Sequence, residues 1–198
     1  MTTTDTTFDP RTALVVVDVQ NDFAHPEGSL YVPGGEEVVP LIGELVERAL
    51  AAGATVVYTQ DWHAPETPHF EEWGGRWPVH CVRGTWGAEL HPDLPVEGPV
   101  VRKGTGPEDG YSGFTVQDLS TGERQATDLR AVLEERGVER VVVVGLARDV
   151  CVAATALDAR RHGYPTTVVL DATRPVEVAP GDDERTCGEM AAAGVELV

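Results

Sequence analysis

The sequence has almost no lysine. Of its 15 basic residues, 14 are arginine and only Lys103 is lysine, against 33 acidic residues and a net charge of −18. So little positive charge argues against nucleic acid and anionic membrane surfaces as partners, because both are bound through basic patches. Cysteine is scarce too. Cys81, Cys151 and Cys187 are odd in number and far apart, so no disulfide framework is expected. No run approaches the roughly 18 apolar residues of a membrane-spanning helix, and residues 1–10 are a polar, threonine-rich lead without a signal-peptide core. The cytoplasm is the expected compartment. Repeats, low-complexity tracts and linkers are also missing. The 198 residues are therefore expected to form one domain, residues 1–198, with residues 1–10 as a flexible lead.

What is present alternates regularly. Residues 12–19 and 55–59 are near-continuous apolar runs, as expected of strands buried on both faces, and 99–103, 141–145, 166–170 and 195–198 read as further strands. Helical spacing marks residues 38–52, 128–136, 149–162 and 183–193. Gly53, Gly137 and Gly163 follow the first three of these, and Thr127 is placed to cap the second. About 40 residues rich in proline, glycine, tryptophan and histidine follow the second strand, a loop length that is usually functional. Alternating apolar strands and helices predict a parallel sheet covered on both faces, with its ligand beyond the carboxyl ends of the strands.

Three reactive side chains fall at those ends. Asp18 closes the first strand, Lys103 the third, and Cys151 sits in the turn after the fourth. Each has an ordinary explanation: an Asp holding a turn, an arginine-rich chain's leftover lysine, a small buried thiol. Together they supply what nucleophilic catalysis needs, namely a thiol, a base for its proton and a cation that favours the charged forms. A thiol in a helix's first turn also faces the positive end of the helix dipole, which lowers its pKa. Lysine at 103 is either chance or a requirement for a compact ammonium that a guanidinium cannot replace. Separately, Asp61, His63, His69 and His80 lie within 20 residues. An Asp-x-His at a strand end can aim both side chains at one ion, and later loop histidines can close its shell; zinc, manganese and iron suit such a set about equally. The other reading is a solvated aromatic loop with bystander histidines. Cys81 reads as packing, and His25, His91 and His162 as structural or surface residues.

The stretches Val17-Asp18-Val19-Gln20-Asn21-Asp22-Phe23, Asp61-Trp62-His63, Trp77-Pro78-Val79-His80-Cys81-Val82, Tyr111-Ser112-Gly113-Phe114 and Gly145-Leu146-Ala147, with Lys103 and Cys151, resemble the nicotinamidase (pyrazinamidase) family. That family lies within the isochorismatase-like cysteine hydrolases. The resemblance implies a three-layer α/β/α sandwich with a central, mainly parallel sheet. It implies amide hydrolysis of nicotinamide, as in NAD salvage, with Asp18 as base, Lys103 as charge partner and Cys151 as nucleophile. It further implies a cis peptide before Ala147 and an oxyanion hole made by the Ala147 and Cys151 amides. Phe23, Trp77 and Tyr111 would line an aromatic slot, and Asp61, His63, His69 and His80 would hold one divalent metal, zinc by default. A small-molecule carboxamide would be the partner, and the chain a homo-oligomer. Competing readings are a relative acting on a carbamoyl, ureido or maleamate-type substrate, an isochorismate-type vinyl-ether hydrolase, a hydrolase using a metal-bound water, and a non-catalytic metal-binding module.

Overall fold

Runs of valine and leucine too apolar to face water on either side build the centre of this chain. The computed structural model describes residues 6–198. Along it run β1 (Thr12–Val17), α1 (Asn21–Ala24), α2 (Val38–Ala51), β2 (Thr55–Asp61), β3 (Val100–Lys103), β4 (Glu108–Asp109), β5 (Thr115–Asp118) and β6 (Arg124–Ala126). α3 (Leu129–Glu135), β7 (Arg140–Leu146), α4 (Ala153–Arg161), β8 (Thr166–Arg174), α5 (Asp182–Ala192) and β9 (Glu196–Leu197) complete it.

Six strands form one sheet in the order β3-β2-β1-β7-β8-β9, and every pairing in it is parallel. Alternate side chains of β1 serve opposite faces. Leu14 and Val16 pack with Ile42, Leu45 and Val46 of α2, whereas Ala13, Val15 and Val17 pack with Leu133 of α3, Ala156 of α4 and Met190 of α5. This is the expected three-layer α/β/α sandwich. Each fully buried aliphatic side chain contributes about 1.5–3 kcal/mol, so burial on both faces explains the unbroken apolar run Ala13–Val17 before Asp18. The chain runs outward from β1 through β2 to β3, then returns to β7 on the other side. The resulting switch point between β1 and β7 opens a crevice at the carboxyl ends. Gly145 keeps β7 close to β1 there, since its φ is +112° and a Cβ would lie 2.1 Å from the Val17 carbonyl oxygen.

The structure departs from expectation in several places. The first strand stops at Val17, because Asp18 turns out of it with φ +49°. The helix expected from residue 149 begins instead as a π-helical turn, Arg148–Val152, followed by α4. Side chains of that turn are tied elsewhere: Arg148 forks onto Asp183 of α5, and Asp149 accepts from the amides of Val176 and Glu177. β8 continues to Arg174 past a register shift against β7. Finally, β4, β5 and β6 form a small antiparallel sheet that hydrophobic periodicity did not announce, because these strands are short and polar. Asp128, not Thr127, is the N-cap residue of α3, because the helix starts one residue later than expected; Thr127 precedes it and its Oγ1 accepts from the Leu129 amide at 3.2 Å. Of the expected lead, residues 1–5 lie outside the described residues. The Thr6 carbonyl accepts from Arg48 at 2.5 Å, and Asp9 pairs with Arg140.

Candidate active site

Parallel register brings the strand-end residues together. The β2–β3 pairing sets Asp61 beside Lys103, and β1 ends one strand away at Asp18, whose amide donates to the Thr59 carbonyl. Lys103 Nζ is fully enclosed. It lies 2.8 Å from Asp18 Oδ2 and 2.5 Å from Asp61 Oδ1, and it donates to the Gly110 carbonyl at 2.6 Å. Cys151 Sγ stands 3.7 Å from the same ammonium. Ligand atoms of Asp18, Asp61 and Cys151 all lie within 4.8 Å of one another. The structure thus gathers the three residues singled out for nucleophilic chemistry around one buried cation. The Leu146–Ala147 peptide beside them is cis.

Burial and charge compete at each group. Burial pushes the Asp18 carboxyl up to about 6, against the opposing pull of Lys103. Asp61 goes the other way: burial disfavours its charge, but Lys103 and then His63 hold it well below the usual carboxylate range. Lys103 stays firmly charged despite burial, because Asp18 and Asp61 flank it. The sequence expectation of a lowered Cys151 pKa is overturned. Burial pushes this thiol well above its ordinary value, and the neighbouring Asp18 and Asp61 charges add to that against the pull of Lys103. Cys151 is therefore a resting thiol next to a carboxylate poised to take its proton.

His63, His69 and His80 form a second cluster, with ring nitrogens within 4.8 Å of one another and all three side chains buried. His63 Nδ1 donates to the Gly104 carbonyl at 3.2 Å and His80 Nδ1 to the Pro78 carbonyl at 2.7 Å. A carbonyl can only accept, so each Nδ1 carries the proton and each Nε2 presents its lone pair. His63 Nε2 is buried without a hydrogen-bond partner among the described residues, and burial drives His80 down to about 4, which keeps it neutral. Buried imidazoles whose Nε2 atoms have no other partner fit a divalent metal ion, which they bind in their neutral form. Gly104 (φ +64°) allows the approach, since a Cβ there would meet the His63 ring at 2.5 Å. Asp61 lies between the clusters, with Oδ1 on Lys103 and Oδ2 3.7 Å from His63 Nε2.

Both clusters open into one cleft. The aromatic residues Phe23, Trp77 and Tyr111 line it together with His69, His80, Ala147 and Cys151, and Trp77 Nε1 donates to the Tyr111 hydroxyl at 2.9 Å. Cys81 is buried packing, its amide held by Asp22 at 2.7 Å, while His162 is exposed and His91 buried away from the cleft. Sequence reasoning missed several supports. Thr59 donates to Asp18 Oδ1 at 2.7 Å. Gln20 clamps the Asp61 backbone, its Oε1 accepting from the amide and its Nε2 donating to the carbonyl, each at 2.8 Å. Asp109 of β4 places its Oδ1 in close contact with His69 Nδ1. The available signal was a polar side chain at the end of an apolar strand for Thr59, and nothing for Asp109.

Comparison with known proteins agrees with this geometry. The isochorismatase domain model matches residues 12–198. A nicotinamidase/pyrazinamidase of Mycobacterium tuberculosis is 41% identical over 193 residues, covering 94% of this chain and 97% of that protein. The crystal structure of a pyrazinamidase of Pyrococcus horikoshii in complex with zinc matches with a TM-score of 0.85 at 40% identity, over 96% of this chain and 99% of that one. PnC1 from L. infantum in complex with nicotinate gives 0.86 at 36% identity, over 98% and 95%. The chain belongs to the isochorismatase family of hydrolases, in its nicotinamidase/pyrazinamidase branch.

Proposed function

We propose that this chain hydrolyses nicotinamide to nicotinate and ammonia, and accepts pyrazinamide, through a thioester on Cys151. One observation carries the reading: the buried Asp18–Lys103–Cys151 group and the three-histidine cluster share a single aromatic cleft. Asp18 takes the Cys151 proton as Sγ attacks the carboxamide carbon. Because the resting thiol is a weak acid, transfer and attack occur together, with Lys103 stabilising the developing charge. The amides of Ala147 and Cys151 receive the oxyanion, worth about 3–4 kcal/mol per donor in acyl transfer. Protonated Asp18 then gives its proton to the departing nitrogen, and ammonia leaves. Asp18 next deprotonates a water that attacks the thioester, which frees nicotinate and restores the thiol.

Phe23, Trp77 and Tyr111 hold the ring, and Asp61, His63, His69 and His80 would hold a divalent ion, with zinc the default choice. When bound, that ion supplies a Lewis-acid anchor for the ring nitrogen, so its part is positioning rather than attack. The chain works as one catalytic domain on a small molecule. A cytoplasmic location and a homo-oligomeric state complete the reading and rest on the resemblance.

Three results are expected. The kcat/KM for nicotinamide rises with pH through a midpoint near the Asp18 value of about 6, because only the ionised carboxylate accepts the proton. Asp18→Asn lowers kcat by about 10²–10⁴-fold and abolishes that acid limb; a variant with near-normal turnover would remove Asp18 from the base role. Chelation of the metal lowers kcat/KM for nicotinamide more than for benzamide, which lacks the ring nitrogen. Ammonia release before and after dialysis against chelator checks this, and equal losses would contradict the positioning role.

A further inference from the structure

Asp109 has no part in the reaction above, yet its carboxylate touches both halves of the cleft. It sits in β4 of the small antiparallel sheet, one residue before Gly110, whose carbonyl receives Lys103. On one side its Oδ1 stands in close contact with His69 Nδ1. On the other it lies beside the Tyr111 phenol, which burial and then the Asp109 charge push well above its ordinary pKa. The phenol hydroxyl in turn accepts from Trp77 Nε1 at 2.9 Å. A line of polar groups in contact therefore runs from the indole of Trp77 through Tyr111 and Asp109 to the imidazole of His69. Two of its members line the aromatic slot, and one belongs to the histidine cluster.

Each link has one physical role. A carboxylate on Nδ1 of His69 fixes the ring's orientation, holds the proton on that nitrogen and leaves Nε2 to face His63 and His80. The partly buried carboxylate also packs beside the Tyr111 hydroxyl, which receives Trp77 Nε1, so it helps to hold the phenol as a wall of the slot. His63 and His80 use backbone carbonyls for the same purpose, so His69 is the histidine of the cluster oriented by a side chain.

We propose that Asp109 is a positioning residue that locks the His69 imidazole and the Trp77–Tyr111 wall into one arrangement, so that metal site and ring slot are set together. The inference rests on the proposed function only for the kinetic half of its test. Zinc-loaded protein is titrated with a chromophoric chelator, and kcat and KM for nicotinamide are measured at saturating zinc, for the parent chain, Asp109→Asn, Asp109→Glu and Tyr111→Phe. Asp109→Asn is nearly isosteric and should fold. It is expected to bind zinc about 10–100-fold more weakly and to raise KM several-fold while kcat changes less. Asp109→Glu should recover most of the zinc affinity. Tyr111→Phe should raise KM with a smaller effect on zinc. Parent-like zinc affinity and KM in Asp109→Asn would overturn the proposal. If the parent chain fails to hydrolyse nicotinamide, the proposed substrate falls, while the zinc titration still decides the role of Asp109.

Discussion

Cys151→Ala is expected to lower nicotinamide turnover by about 10⁴-fold or more, with divalent-metal content and fold unchanged. The nucleophile and the histidine cluster occupy separate positions in the cleft, so removing the sulfur leaves the ring nitrogens of His63, His69 and His80 in place. What is lost is the only atom that can form the acyl intermediate. The carboxylates, the oxyanion donors and the aromatic slot remain, so substrate binding should survive, and nicotinate should still bind with near-parent affinity. Ammonia release, divalent-metal content and calorimetric binding of nicotinate check the three parts. Substantial residual turnover would mean that a water, not Sγ, attacks the carboxamide.

The second large effect concerns stability as well as rate. Lys103 is enclosed, and it neutralises two buried carboxylates at 2.8 Å and 2.5 Å. Lys103→Met leaves Asp18 and Asp61 facing each other without a cation. Breaking a buried ion pair from one side costs about 3–5 kcal/mol, because the surviving charge stays desolvated. Urea unfolding at neutral pH should show a loss of that size together with lost turnover. Lys103→Arg retains the charge but should also be poor. Nζ is a point cation held by Asp18, Asp61, Gly110 and Cys151 on different sides, and a planar guanidinium cannot satisfy that arrangement in the same volume. Normal activity in Lys103→Arg would show that the lone lysine survived by chance.

Much of this molecule was legible in its residues. The parallel sheet followed from strands apolar on both faces, and the strand-end rule pointed to Asp18, Lys103 and Cys151 before their register was known. The metal group followed from Asp-x-His at a strand end. What escaped were features set by tertiary contacts rather than local pattern. β4 and β6 are two and three residues long, polar except for Ala126, and held by pairing to β5, so no window of periodicity could reveal them or Asp109. The π-helical entry to α4 depends on Arg148 and Asp149 reaching residues more than 25 positions away. The raised pKa of Cys151 is likewise a property of its surroundings. The helix end next to the thiol was visible in the sequence, but complete burial and two adjacent carboxylates were not, and they outweigh it.

Partitioning of the acyl group tests the central claim most directly. Nicotinamide is turned over with increasing hydroxylamine, while ammonia, nicotinate and nicotinohydroxamate are followed together. A thioester on Cys151 can be captured by either nucleophile after ammonia has left. The predicted result is hydroxamate growing at the expense of nicotinate as hydroxylamine rises, with the two products always summing to the ammonia released. Nicotinate as the sole acyl product at every hydroxylamine concentration would contradict a covalent intermediate on Cys151.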